Sequence, residues 1–158
     1  MARKYTGTTD GISDGRRGGL EAMQKTLMYL FNAKDLGTWV VRNMRNNANP
    51  PQLSVHATGR AADIQPKTDA ETNRLVKFLV DNAETLGIEE VHDYKDGAYG
   101  KGWRCSRKEL GGLSGWKQWT ANDNGGSAGG LWCHYEISPS FADSPTLVSK
   151  AFAKIFKK

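Results

Sequence analysis

Residues 54–64, SVHATGRAADI, set an imidazole and a carboxylate seven positions apart, at His56 and Asp63, with a glycine and small residues between them. Both side chains are good zinc ligands, and a zinc site that does chemistry takes a third ligand and keeps one position open for water. Two helical turns span the same separation, so spacing alone permits a shared helix face. Gly59 in the middle and Pro66 just beyond oppose a helix. A loop followed by a strand suits the composition better. Gly59 then permits a backbone turn closed to other residues, Ala61 leaves room beside the site, and His56 meets Asp63 from the neighbouring strand.

A third ligand must come from elsewhere, and the only other histidines are His92 and His134. Strand alternation in LWCHYEIS places His134 and Glu136 on one face and Cys133 and Tyr135 on the other. His134 is therefore the stronger third ligand. His92, in EVHDY on a core strand, is read as a packed, hydrogen-bonded histidine.

The elements that must position these groups follow from periodicity. Residues 1–17 are polar and Gly-rich and read as a flexible basic arm, leaving residues 18–158 as a single domain. Leu20, Met23, Leu27 and Leu30, with Phe31 beside them, follow helical spacing until Gly37. Thr38 to Val41, TWVV, is β-branched and aromatic and predicts a strand. NNANPP is a loop by composition, and AADI is a strand closed by Pro66. Asp69 is the predicted N-cap of a helix over 70–86, with Leu75, Leu79 and Leu86 on one side and Gly87 as its stop. IEEVHDY is the next strand. Residues 95–130, with GGLSG and NGGSAGG, form a long irregular excursion of the kind that shapes a site. LWCHYEIS is a strand, and 144–156 a helix with Leu147, Ala151 and Ile155 inward, plus Phe152. The order α, β, β, α, β, loop, β, α indicates an α+β domain with an antiparallel sheet.

Composition bounds the partners. The chain has 158 residues with 22 Lys plus Arg against 17 Asp plus Glu, a net charge of +5, gathered near the two ends. Such a surface favours weak adsorption to acidic polymers: nucleic acid, anionic membrane or cell wall. Trp103, Trp116 and Trp119 lie among Lys and Arg, an interleaving that can stack bases. No nucleic-acid module accompanies them, so nucleic acid is not an expected partner. The same rings equally suit an aromatic wall over the metal, or packing that holds the long loop down. No apolar run is long enough for a membrane span, and the N-terminus lacks the apolar segment of a signal peptide. Cys105 and Cys133 lack CxxC spacing; reduced thiols are the default expectation, with a disulfide left open.

SVHATGRAAD resembles the SxHxxGxAxD motif of the zinc D-alanyl-D-alanine carboxypeptidase family, at Ser54, His56, Gly59, Ala61 and Asp63. CHYEI resembles the PHFEL ending of the phage L-alanyl-D-glutamate endopeptidase (endolysin) branch, with His134 in the ligand place. The resemblance spans roughly residues 37–138. It implies a Hedgehog/D-Ala-D-Ala peptidase-like fold: a small antiparallel sheet with flanking helices and a zinc cleft. It also implies zinc held by His56, Asp63 and His134, and an upstream Arg that steadies a developing oxyanion, for which Arg42 is preferred over Arg45.

One position departs from the family pattern. The family's general base, an Asp or Glu three residues before the last ligand, is Leu131 here, and Leu cannot accept a proton. Glu136 stands with Arg42 as the candidate catalytic pair, although the endolysin branch carries this Glu in addition to the usual acid. A second register, aligning CHYEIS with a DHVHVS ending, makes Glu136 the third ligand and puts Cys133 where the acid belongs. An acid from the long loop, such as Asp123, is a further source of a base. The expected function is a phage-derived zinc peptidase cutting peptidoglycan peptides, found in the host cytoplasm before lysis or in the virion. The alternative is a weak or inactive module on the same scaffold, binding cell wall or other phage particle proteins.

Overall fold

The computed structural model describes residues 2–45, 48–107 and 115–157. Helix α1 (Gly18–Leu30) buries Leu20, Met23 and Leu27 on one stripe, as their spacing predicts. Strand β1 (Ala33–Gly37) follows directly. The β-branched run after it forms no strand: Val40 and Val41 are exposed. The cause lies at Gly37, where the pairing with the next strand slips and the backbone turns at φ 128°. Local propensity yields there to the absence of a partner edge. Thr38 is drawn inward instead, its hydroxyl donating to Glu21.

A single 3₁₀ turn (Val55–Thr58) leads into β2 (Ala61–Pro66). The next helix, α2 (Asp69–Asp81), is capped one residue earlier than the sequence predicts. Thr68 Oγ1 accepts from the Glu71 amide at 3.2 Å, and its hydroxyl donates to the Glu71 carboxylate at 3.2 Å. The first bond satisfies one of the helix's free N-terminal amides, which makes Thr68 the N-cap, and the second orients its hydroxyl. The predicted helix over 70–86 is broken at Asn82, whose side chain donates to the Phe78 carbonyl at 2.8 Å, and α3 (Ala83–Leu86) continues to Gly87.

Strand β3 (Ile88–Asp93) is followed by β4 (Lys101–Arg104) and β5 (Trp116–Gln118), so the irregular excursion carries two strands of its own. The GGLSG run, except Gly115, lies outside the described residues, as do Asn46 and Asn47 of the Pro-bearing loop. Strand β6 (Cys133–Ile137), α4 (Pro139–Asp143) and α5 (Pro145–Phe156) complete the chain. In α5 the buried residues are Val148, Ala151 and Phe152, whereas Leu147 is exposed. Ser144 caps the helix through the Leu147 amide, which holds Leu147 in the solvent-facing first turn.

These strands form an open antiparallel sheet of order β1-β2-β6-β3-β4-β5, flanked by five α-helices among the described residues. The fold is α+β. One sheet face, through Ala62, Ile64, Val91, Cys133, Tyr135 and Ile137, packs on the helices to make the core. Burying a Leu-sized side chain contributes about 1.5–3 kcal/mol, and α1, α2 and α3 supply six leucines or methionines with no exposure: Leu20, Met23, Leu27, Leu75, Leu79 and Leu86. The opposite face carries the polar residues of the same strands. Both cysteines are free and buried.

The N-terminal segment is not a free arm. The Arg3 amide donates to the Cys105 carbonyl at 3.1 Å, Thr6 donates twice to Glu89 at 3.0 and 2.8 Å, and the Ser13 amide donates to Ala57 at 2.9 Å. Arg17 binds Asp143 through two bonds of 2.8 Å. Polar composition suggested disorder, but here the polar groups pair with buried polar groups of the domain. The centre of that pairing is Arg60, which is fully buried and donates to Asp10, Glu89 and the Ile137 and Gly7 carbonyls.

Candidate metal centre

His56 is set by the 3₁₀ turn. Ser54 caps that turn by accepting from the His56 amide at 3.4 Å, and Gly59 ends it at φ 68°, with its amide on the His56 carbonyl. A residue with a side chain is strained in that conformation, so the chain reverses there and delivers His56 beside β2. Asp63 and His134 are directly opposed across β2 and β6. Gln24 of α1 secures the strand behind them, donating to the Asp63 carbonyl at 2.9 Å and to Asp35 at 3.0 Å while accepting from Tyr135 at 2.9 Å.

The three side chains converge. His56 Nε2 is 3.3 Å from Asp63 Oδ2, and His134 Nδ1 is 2.9 Å from Asp63 Oδ1. One ligand atom from each lies within 4.8 Å of the others, and the group is largely buried. Two imidazole nitrogens and a carboxylate oxygen at such separations suit one divalent ion, since tetrahedral ligands about 2.0–2.1 Å from zinc lie close to this far apart. The same group lines a cavity of about 480 Å³, which leaves an approach from the solvent side.

Glu136 touches the other nitrogen of the third ligand: Oε1 is 3.2 Å from His134 Nε2. With a metal bound, a carboxylate there would hold the ring in the tautomer that turns its Nδ1 lone pair to the ion, a recurrent outer support of ligating histidines. The second register is therefore not the geometry observed; among the described residues, the potential ligand group contains His134 and not Glu136. Burial disfavours the charged imidazolium of His134, but its bonds to Asp63 and Glu136 outweigh that and carry it up to about 10. Burial likewise works against the Asp63 carboxylate, and the bonds from His134 and His56 overcome it, holding the acid well below its usual range.

His92 is packed and hydrogen-bonded, as expected, but on the cleft side of the sheet and not against the helices. It lies opposite His134 in the β3–β6 register and stacks on it at 4.5 Å between ring centroids. It faces the cavity, with Trp119 edge-on at 4.7 Å, Tyr94 Oη 3.2 Å from Nδ1 and Glu90 Oε1 3.5 Å from Nε2. Burial and the neighbouring His134 hold this imidazole below its ordinary value. Period-two alternation in EEVHDY is a signal that would have put Glu90 and His92 on one face. What it lacked was the register that matches them with Glu136 and His134.

Arg42 and Arg45 both border the cavity, Arg42 from a loop and not a strand end. The Arg42 guanidinium donates to the neighbouring Asn43 carbonyl at 3.2 Å. Leu131 is not among the cavity's lining residues, and its carbonyl accepts from Thr72 at 2.8 Å. Asp123 does line the cavity, but it is engaged by Lys117 at 2.6 Å and by the Thr120 amide at 2.9 Å. Lys117 and then the Thr120 amide hold its acid below the ordinary value. Trp119 and Trp132 form aromatic wall, whereas Trp103 and Trp116 pack against the core. No helix among the described residues is long and apolar enough to cross a membrane.

The fold and the site together define an α+β protein with a potential metal-binding triad at the floor of a cleft. No family model matches the chain, and neither a curated protein nor a solved structure matches it.

Proposed function

We propose that the chain is a zinc-dependent peptidase of Hedgehog/D-Ala-D-Ala peptidase-like fold that cleaves peptide bonds of bacterial peptidoglycan. We further propose a phage origin, with the protein acting from the host cytoplasm at lysis or carried in the virion. The observation carrying this reading is the convergence of His56, Asp63 and His134 on one small volume at a solvent-reached cleft. It joins the two sequence stretches on which the family resemblance rests.

Bound zinc supplies Lewis acidity, polarising a peptide carbonyl and lowering the pKa of water from about 15.7 toward about 7. The chain's own groups do the rest. Arg42, which borders the cavity, offsets negative charge growing on the substrate carbonyl oxygen, worth about 3 kcal/mol for one good donor. Glu136 keeps the His134 ring oriented and does not act as the base. Trp119 and Trp132 give the substrate an apolar wall that excludes water.

A second reading has its own observation. Leu131 stands at the position of the family's acid, and the carboxylate nearest in role, Asp123, is held by Lys117 and Thr120. Loss of a general base lowers rates about 10²–10⁴-fold. A module that binds wall or particle proteins while cutting slowly, or not at all, fits that feature. The deciding experiment incubates the protein with purified peptidoglycan and zinc and measures new free amino groups, with His56→Ala as control. Release by the wild type alone supports the peptidase; no release at any zinc concentration supports the module.

A further inference from the structure

The N-terminal strap delivers one side chain into the site's support. Tyr5 Oη lies 2.8 Å from Glu136 Oε2 and 2.9 Å from Glu90 Oε2, and Tyr5 borders the cleft. Those two acids are opposed in the β3–β6 register, one step along from the His92–His134 pair. Each acid spends its other oxygen on a nitrogen. Glu136 Oε1 faces His134 Nε2 at 3.2 Å, while Glu90 Oε1 accepts from Arg104 at 3.1 and 2.8 Å. The Arg104 guanidinium also lies over the Tyr5 ring, 4.0 Å from its centre.

A phenol carries one hydrogen, so it completes one of the two carboxylates at a time. Arg104 already satisfies Glu90 twice; among the described residues, the side-chain partners of Glu136 are the His134 ring and Tyr5. Backbone and side-chain bonds on either side of Tyr5, from Arg3 to Cys105 and from Thr6 to Glu89, fix where the hydroxyl sits.

We infer that Tyr5 is a positioning residue of the metal centre: its hydroxyl holds Glu136, Glu136 holds His134, and docking of residues 2–17 is thereby coupled to metal binding. The inference rests on the zinc reading above. Coupling of this kind is reciprocal, so a strap that strengthens metal binding is itself held down by the metal.

The test is a double-mutant cycle on zinc affinity, measured in the full chain by competition with a chromophoric chelator. Glu136→Gln is expected to weaken zinc about 10–100-fold, as for other outer supports of ligating histidines. Tyr5→Phe, which keeps the ring under Arg104, is expected to weaken it roughly five- to tenfold. The double variant is expected to match Glu136→Gln alone, because Tyr5 acts through Glu136. A merely structural Tyr5 gives losses that multiply, and that result overturns the inference, as does a Tyr5→Phe affinity equal to wild type. Should Tyr5→Phe not fold, Thr6→Val loosens the strap beside an intact phenol; a two- to threefold loss supports the coupling and no loss overturns it. A wild type that binds no zinc overturns the zinc reading and this inference with it, whereas a zinc-binding wild type indifferent to Tyr5 overturns this inference alone.

Discussion

Asp63 and His134 sit face to face across two neighbouring antiparallel strands, with Asp63 Oδ1 2.9 Å from His134 Nδ1. They are 71 residues apart in sequence, yet no loop intervenes in their relative placement. Sheet register does that work, and His56 is then added from a turn one strand-length upstream. A site mounted on paired strands is held more closely than one built from loops, which bears on every expectation below.

Zinc is expected to bind one per chain and to stabilise the fold. Ligand at 100 times its dissociation constant adds about 2.7 kcal/mol, which for a domain of this size raises Tm by roughly 5–10 °C. Differential scanning calorimetry with and without zinc measures the shift. His56→Ala, Asp63→Ala and His134→Ala are each expected to abolish it, and a shift that survives all three places the ion elsewhere.

Leu131→Asp is expected to raise any peptidoglycan-cleaving activity by no more than about 10-fold, below the usual range for a general base, because residue 131 does not line the cavity. The added acid leaves the Thr72 bond intact, since that bond goes to the Leu131 carbonyl. Amino-group release from purified peptidoglycan reads the rate. An unchanged rate means that the missing base belongs at another position.

In the metal-free protein His134 is carried from its ordinary 6.5 up to about 10. A raised folded pKa contributes stability that is fully present below about 6.5 and is lost as pH rises through about 10. Asp63 runs the other way: its depressed acid contributes stability present above its ordinary 3.8 and lost as pH falls through the folded value. Resistance of the metal-free protein to urea is therefore expected to be greatest on a mildly acidic plateau between the ordinary values of 3.8 and 6.5, and to fall on both sides of it. Zinc must displace the His134 proton, so binding near neutrality is expected to release about one proton. Titration calorimetry in buffers of different ionisation enthalpy counts it, and zero protons released would contradict the charged His134.

Arg60→Met is expected to destabilise the fold by about 3–5 kcal/mol, because it strands buried acceptors that had a charged partner. Glu89, with a side chain only 4% exposed, keeps Thr6 but loses the guanidinium, and the Ile137 carbonyl loses its 2.6 Å donor. Equilibrium denaturation gives the number. A loss under about 1 kcal/mol would mean that the cluster of Asp10, Arg60 and Glu89 is solvated in solution. The same variant is expected to loosen the strap, since Arg60 also holds the Gly7 carbonyl.

The sequence by itself determined the parts whose signal is local and periodic. Leu20, Met23 and Leu27 announce α1, Leu75, Leu79 and Leu86 mark the buried side of α2 and α3, and alternation in CHYEI separates His134 and Glu136 from Cys133 and Tyr135. Each reflects a geometric repeat written into adjacent residues. Gly59 between His56 and Asp63 likewise carried its turn in its own type. Only the tertiary structure decided what depends on partners distant along the chain. Whether TWVV finds an edge to pair with, whether residues 2–17 dock, and which residues oppose Glu90 and His92 are questions of register and of buried charge pairing. Composition does not encode these, because the same polar residue is solvated in one context and, like Tyr5 or Arg60 here, held against the domain in another.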